Sequence, residues 1–171
     1  MSSPATIRFA RESDLPVILG FIRSLAVYER LLDEVEADED RLRQHLFGER
    51  PAAEVLLAEV DGTPAGFALF FQNFSTFLAR PGLYLEDLFV EPPYRQQGIG
   101  KALLRELARI AVERDYGRLE WSVLDWNSPA IGFYEKMGAR ILRDWIPCRV
   151  TGDPLRRLGQ MAAVETKKPL P

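Results

Sequence analysis

Apolar positions change period several times along the chain, and each change marks an element. Leu15, Ile18, Leu19, Ile22, Leu25 and Ala26 recur at three and four residues, the buried stripe of an amphipathic helix. Ser13 or Asp14 stands where that helix takes its N-cap, and Pro16 is tolerated in its first turn. Ala5–Ala10, ahead of it, reads as a short strand. Asp38–Phe47 reads as a second, shorter helix with Leu42 and Leu46 inward. The period then becomes that of strands. Ala53–Val60 and Ala65–Gln72 are apolar runs parted by Asp61-Gly62, a hairpin signal, and Leu83–Val90 is a third run stopped by Pro92-Pro93. Gly98–Asp115 is a strong helix: Ile99, Leu103, Leu107 and Ile110 point inward, while Lys101, Arg105, Arg109 and Glu113 form a solvent ridge. Leu119–Leu124 reads as a strand and Ser128–Met137 as a helix ended by Gly138. Ile141–Val150 reads as strand, turn, strand, and Asp153-Pro154 opens a last helix.

The order β-α-α-β-β-β-α-β-α-β-β predicts an α/β fold with a mixed sheet. The strand–helix–strand unit at 83–124 is expected to make a right-handed parallel crossover. Ligands in such sheets sit at the carboxyl ends of strands where chain order diverges. No repeat or low-complexity linker interrupts the 171 residues, which are expected to form a single domain, 1–171, with 165–171 as a frayed tail.

Composition narrows the chemistry. The net charge is −3 and the pI about 5.3, a surface that does not favour nucleic-acid phosphates. One cysteine, Cys148, excludes an internal disulfide. With one histidine, His45, a His/Cys zinc site is not expected, and neither is a metal-dependent or triad mechanism. His45 reads as a solvated helix residue, Cys148 as an ordinary strand residue, and Trp121 and Trp126 as packing residues. No apolar leader and no 18-residue apolar run is present. The expectation is a cytoplasmic protein that does not engage a membrane.

The segment Arg95-Gln96-Gln97-Gly98-Ile99-Gly100-Lys101 joins a strand to a helix start. Glycines let the backbone turn tightly and approach a ligand. The first helical N–H groups lack internal partners and carry partial positive charge, so an anion is stabilised there. A P-loop would need glycine at 95, where arginine stands, and Ser or Thr at 102, where alanine stands. A dinucleotide fingerprint would need a third glycine at 103, where leucine stands. A helix start that binds nothing remains the alternative.

The stretch YLEDLFVEPPYRQQGIGKALL resembles the acetyl-CoA signature of the GCN5-related N-acetyltransferase (GNAT) family, with Arg95, Gly98 and Gly100 as its R-x-x-G-x-G core. Downstream, WNSPAIGFYEKMGA resembles the family's second block. Within the family the chain is most similar to the spermidine/spermine and thialysine acetyltransferases, through Ala26–Glu29, Tyr84–Asp87 and Asp125–Asn127. Its WIPCRVTG ending looks more bacterial than animal and departs from the animal polyamine enzymes. The resemblance implies the GNAT fold, a mostly antiparallel central sheet flanked by helices around a parallel β-α-β unit. It also implies acetyl-CoA as co-substrate, a small-molecule amine as acceptor, and a homodimer. Direct attack of the amine on the thioester is the implied reaction.

Residue roles follow from that resemblance. Leu88, Phe89 and Val90 would offer backbone groups to the pantetheine arm, and Arg95, Gln96, Gln97, Gly98, Ile99, Gly100 and Lys101 would hold the pyrophosphate. Asn127 would contact the cofactor and also suits a helix cap. Tyr134 would be the general acid for the departing thiolate; a tyrosine packing a helix on the sheet is the alternative. Glu86 and Asp87 are adjacent carboxylates in an apolar strand, where successive side chains face opposite sides. Buried carboxylates need partners or solvent, so a structural ion pair is one reading. The family reading makes Glu86 a general base acting through a water, or an anchor for the amine, and places both carboxylates near the acceptor. Tyr28 and Glu29 match substrate-side positions, where an aromatic face and a carboxylate suit an ammonium group, or they are a solvated helix end. The acidic run Asp33–Asp40 suits a polycation or is a solvated loop.

Overall fold

The computed structural model describes residues 5–161. The chain divides into two compact units, Met1–Ser128 and Pro129–Pro171. The frayed tail expected at 165–171 lies outside the described residues.

In the first unit, strands β1 (Thr6–Phe9), β2 (Glu54–Val60), β3 (Thr63–Ser75), β4 (Arg80–Val90) and β5 (Leu119–Trp121) form one sheet in sequence order. The first four pair antiparallel, and β4 pairs β5 parallel. The β2–β3 connection is the two-residue turn Asp61-Gly62, with φ of 50° and 76°. Both values are positive, as a type I′ hairpin turn requires.

Helices α1 (Leu15–Glu29) and α2 (Glu39–Phe47) cover one face of the sheet. Ile18, Phe21 and Leu46 meet Val55, Leu57, Phe67 and Phe89 there. The rings of Phe21 and Phe67 stack 5.5 Å apart. Helix α3 (Ile99–Glu113) packs against β1–β5 and buries Ile99, Leu103, Leu104, Leu107 and Ile110. Because both faces are covered, β2 buries four residues in succession, Val55–Ala58, instead of alternating.

Asp38 caps α2 by accepting from the Arg41 N–H at 2.8 Å. Asp14 occupies the N-cap position of α1, but its carboxylate is engaged otherwise: it accepts from the Arg11 N–H and from Arg8, which also reaches Glu59. That network ties β1, β2 and the entry to α1 together. The Arg8 guanidinium holds the Asp14 carboxyl below its ordinary range.

Two strand expectations are corrected. β5 ends at Trp121, not Leu124, because its ladder with β4 ends at Leu85↔Trp121. Ile141–Val150 forms no strand, and Cys148 lies exposed in irregular chain. The apolar pattern is there, but a strand exists only through a partner, and the second unit has no strand among its described residues. Pro147 also lacks the N–H that a ladder uses. That unit consists of α4 (Ser128–Lys136) and α5 (Gly152–Gln160) with the chain between them. Gly138 ends α4 at φ 92°, and the Ala139 N–H returns to the Tyr134 carbonyl at 3.0 Å.

Candidate active site

The carboxyl end of β4 is the place where the sheet opens. β5 pairs with Leu83, Tyr84 and Leu85 and then stops. Among the described residues, Glu86–Val90 keep β3 as a neighbour and have no ladder on the β5 side. An edge without a ladder is where an extended ligand can add as a strand. Gly66, opposite Val90, lets β3 come close here: a Cβ on it would lie 2.6 Å from the Phe89 carbonyl oxygen.

The β3–β4 ladder contains a bulge. Leu85 pairs with Phe70 and Asp87 with Leu69, so Glu86 has no counterpart. The extra residue changes the facing of the strand. Leu83 and Leu85 share a face with Phe70, while Asp87 and Phe89 share the α1 face with Leu69 and Phe67. The strict opposition of Glu86 and Asp87 expected for a regular strand therefore does not apply.

The two carboxylates live in different surroundings. Glu86 is exposed. Asp87 is half-buried, and its carboxyl is pushed up to about 6, first by desolvation, then by the charges of Glu86 and Glu29. Glu29, on the last turn of α1, is raised by burial alone. Neither Asp87 nor Glu29 has an arginine or lysine among these influences. Three carboxylates thus converge at the end of α1 and the bulge of β4. A cationic group there would relieve their mutual repulsion.

The phosphate turn follows. After the 3-10 turn Pro92–Tyr94, Arg95 is extended, Gln96 is left-handed at φ 61° and Gly98 at φ 84°. A Cβ on Gly98 would meet nothing within 4 Å, so the backbone conformation, and not crowding, is what selects glycine. Gly98 is the N-cap of α3, and no side chain caps the helix. The N–H groups of Ile99, Gly100 and Lys101 head the helix in the direction that stabilises an anion. The residues fit a pyrophosphate: no acidic side chain closes the helix start, and the turn needs no cationic one.

Arg95 does not extend into the turn. Its Nε donates to the Val90 carbonyl at 2.8 Å, and its guanidinium carbon lies 5.0 Å from the Tyr28 ring centroid and 5.4 Å from that of Phe89. Tyr28 in turn donates its hydroxyl to Asn127 Oδ1 at 3.2 Å, and its ring lies 6.1 Å from Trp126. Asn127 is buried; Trp126, expected to pack, is half exposed. The first unit therefore brings together Tyr28, Glu29, Glu86–Val90, Arg95–Lys101 and Asn127. Tyr134 is buried on α4 of the second unit, its ring 5.3 Å from Phe133.

Elsewhere, three of the six acids in the run Asp33–Asp40 have local arginine partners. Arg41 reaches Glu36 and Asp38, and Arg43 joins Asp40 to Glu12. His45 is exposed on α2. Among the described residues no cluster of His, Cys, Asp and Glu is placed to hold a metal ion, and no helix is long and apolar enough to cross a membrane. The bulge at Glu86 and the placement of Arg95 against two rings are what sequence reasoning missed. Only the unusual adjacency of two carboxylates in an apolar run hinted at the former.

The model of the acetyltransferase (GNAT) family matches residues 14–139. An L-ornithine N5-acetyltransferase of Arabidopsis thaliana is 36% identical over 200 residues, covering 91% of this chain and 88% of its own. A thialysine N-epsilon-acetyltransferase of Sus scrofa is 38% identical over 163 residues, covering 89% of this chain and 95% of its own. Among solved structures, an integron cassette protein from the mobile metagenome of V. cholerae superposes with a TM-score of 0.76 at 29% identity, covering 94% of this chain and 99% of its own.

Proposed function

The chain is a member of the acetyltransferase (GNAT) family, and from that premise we propose that it moves acetyl from acetyl-CoA to the primary amine of a small cationic acceptor. The acceptor class is a polyamine, a diamine or a lysine-like amino acid. The observation that carries this reading is the convergence of Glu29, Glu86 and Asp87 beside the open end of β4. Relatives named for ornithine and thialysine, both amino acids with a side-chain amine, support the same class.

Acetyl-CoA, when bound, supplies the activated acetyl group. The backbone of Leu88, Phe89 and Val90, where the Val90 carbonyl already accepts from Arg95 Nε, and the turn from Arg95 to Lys101 are the groups that would hold it, with Asn127 beside them. An ammonium has no lone pair, so the acceptor must lose a proton before it attacks. The family resemblance assigns that proton to Glu86. One observation favours a second reading, in which Asp87 takes it: Asp87 is the half-buried carboxyl, with its ionisation moved to about 6, near the working pH of a base. Glu86 and Glu29 then attract and orient the cation. Tyr134 supplies a proton from its phenol, a role that rests on the match of IGFYEKMG to the family block. Pairing of two copies into a homodimer belongs to the same reading.

Thiol release from acetyl-CoA across a panel of polyamines, diamines, ornithine, lysine, thialysine and an N-terminal peptide tests the proposal. Fast release with the small cations and slow release with the peptide is expected. No release with any amine, despite tight coenzyme A binding, would point to a non-catalytic binder. Tyr134→Phe should lower kcat by roughly a hundredfold with coenzyme A affinity retained; unchanged turnover removes it from the mechanism.

A further inference from the structure

The family resemblance puts Tyr28 on the acceptor side, yet its interaction surfaces are already engaged on the cofactor side. It stands near the end of α1, and its hydroxyl reaches across 99 positions of sequence to Asn127 Oδ1 at 3.2 Å. Its ring face carries the Arg95 guanidinium at 5.0 Å, and its ring lies tilted against that of Trp126, with centroids 6.1 Å apart. We propose that Tyr28 is the positioning residue of the coenzyme A site, holding Asn127 and Arg95 in place from behind.

Accepting one hydrogen bond at Oδ1 fixes the plane of the Asn127 amide, and so the direction in which its Nδ2 donates. Asn127 is buried and follows a turn, where its N–H returns to the Leu124 carbonyl at 2.9 Å, so its backbone and its side chain are both anchored. Arg95 is the residue from which the phosphate turn departs. Its side chain is exposed overall, and an unsupported arginine there would sample many rotamers. Two aromatic faces and the bond from Nε to the Val90 carbonyl restrict it. Arg95 thereby connects the last residue of β4 to the turn, and Tyr28 connects both to Asn127. The same α1 turn carries Glu29, so cofactor contacts and an acceptor carboxylate share one support.

The inference rests on the reading of the turn as a coenzyme A site, and calorimetric titration with coenzyme A separates the two. Wild type that fails to bind coenzyme A removes that reading and this one with it. Wild type that binds, with Tyr28→Phe binding equally well, overturns the role of Tyr28 alone. The expected result is roughly fivefold weaker coenzyme A binding for Tyr28→Phe, which keeps the ring and loses the hydroxyl, and a loss of tens of fold for Tyr28→Leu, which loses both. In steady state the KM for acetyl-CoA should rise in step, with the KM for the amine changing less than about twofold. A rise confined to the amine KM would return Tyr28 to the acceptor and overturn the proposal. Asn127→Ala and the Tyr28→Phe, Asn127→Ala double variant should weaken coenzyme A to the same extent, because the hydroxyl acts through Asn127; additive losses would overturn it. Tyr28→Phe should melt within about 2 °C of wild type, since one half-exposed hydroxyl is lost.

Discussion

Strand β4 is two different structures end to end. From Leu83 to Leu85 it is paired on both sides, and Leu83 and Leu85 are almost fully buried. From Glu86 to Val90 it is bulged, free along one edge, and carries two adjacent carboxylates. The first half is paired with both neighbouring strands and buries apolar surface. The second has a ladder on one side only and holds Asp87 where partial burial opposes its charge. The lesson is that an open end of a strand is made by withdrawing what stabilises the other end.

The comparison predicts that changes in the two halves separate activity from stability. The largest effect is expected from Asp87→Asn, which should cut kcat/KM for the amine by roughly 10²- to 10³-fold at neutral pH if Asp87 is the base. The low-pH limb near 6 in wild-type kcat/KM should vanish with it. Full activity would move the base to Glu86. Next, Leu83→Ala in the paired half should cost about 3 kcal/mol of stability by denaturant unfolding, with turnover of the folded fraction retained. Lost turnover with unchanged stability would dissolve the distinction.

A smaller effect concerns pH. The Asp87 carboxyl ionises at about 6 in the fold, above its ordinary 3.8, so the folded protein holds that proton more tightly than the unfolded chain does. The stability it contributes is full below pH about 4 and is lost as pH rises through about 6. Wild type should therefore lose about 2 kcal/mol relative to Asp87→Asn between pH 4 and 7.5. Asp14, lowered by Arg8, acts in the opposite sense at lower pH and cancels in that difference. Comparable in size is the effect of Gly66→Ala. Its methyl would press on the Phe89 carbonyl oxygen, a backbone atom that cannot swing away, and cost about 2 kcal/mol, read as a lower melting temperature.

Much of this was legible in the chain. The stripe from Leu15 to Ala26, the Asp61-Gly62 turn and the ridge from Lys101 to Glu113 are local patterns whose periods survive folding. The turn at Arg95–Lys101 was equally readable, because its conformation needs glycine at Gly98 whatever surrounds it. The bulge was not. Leu83, Leu85, Asp87 and Phe89 have unbroken parity, so the sequence reads as one face, and only the register against Phe70 and Leu69 reveals two. Ile141–Val150 misled in the other direction: apolar alternation shows what a segment could pair with, not whether a partner strand is there. Arg95 against Tyr28 joins residues distant in sequence, which no local period encodes.

The bulge also bears on how this strand can drift over generations. Anywhere else in β4, gaining or losing one codon would turn the rest of the strand over and drive Leu or Phe side chains out of the interior. Glu86 is the exception. Its in-frame loss would leave Leu85 opposite Phe70 and Asp87 opposite Leu69, as they stand now. The β3 ladder has no place for that residue, so its codon can be lost without turning the strand over, and what goes with it is one negative charge next to Asp87.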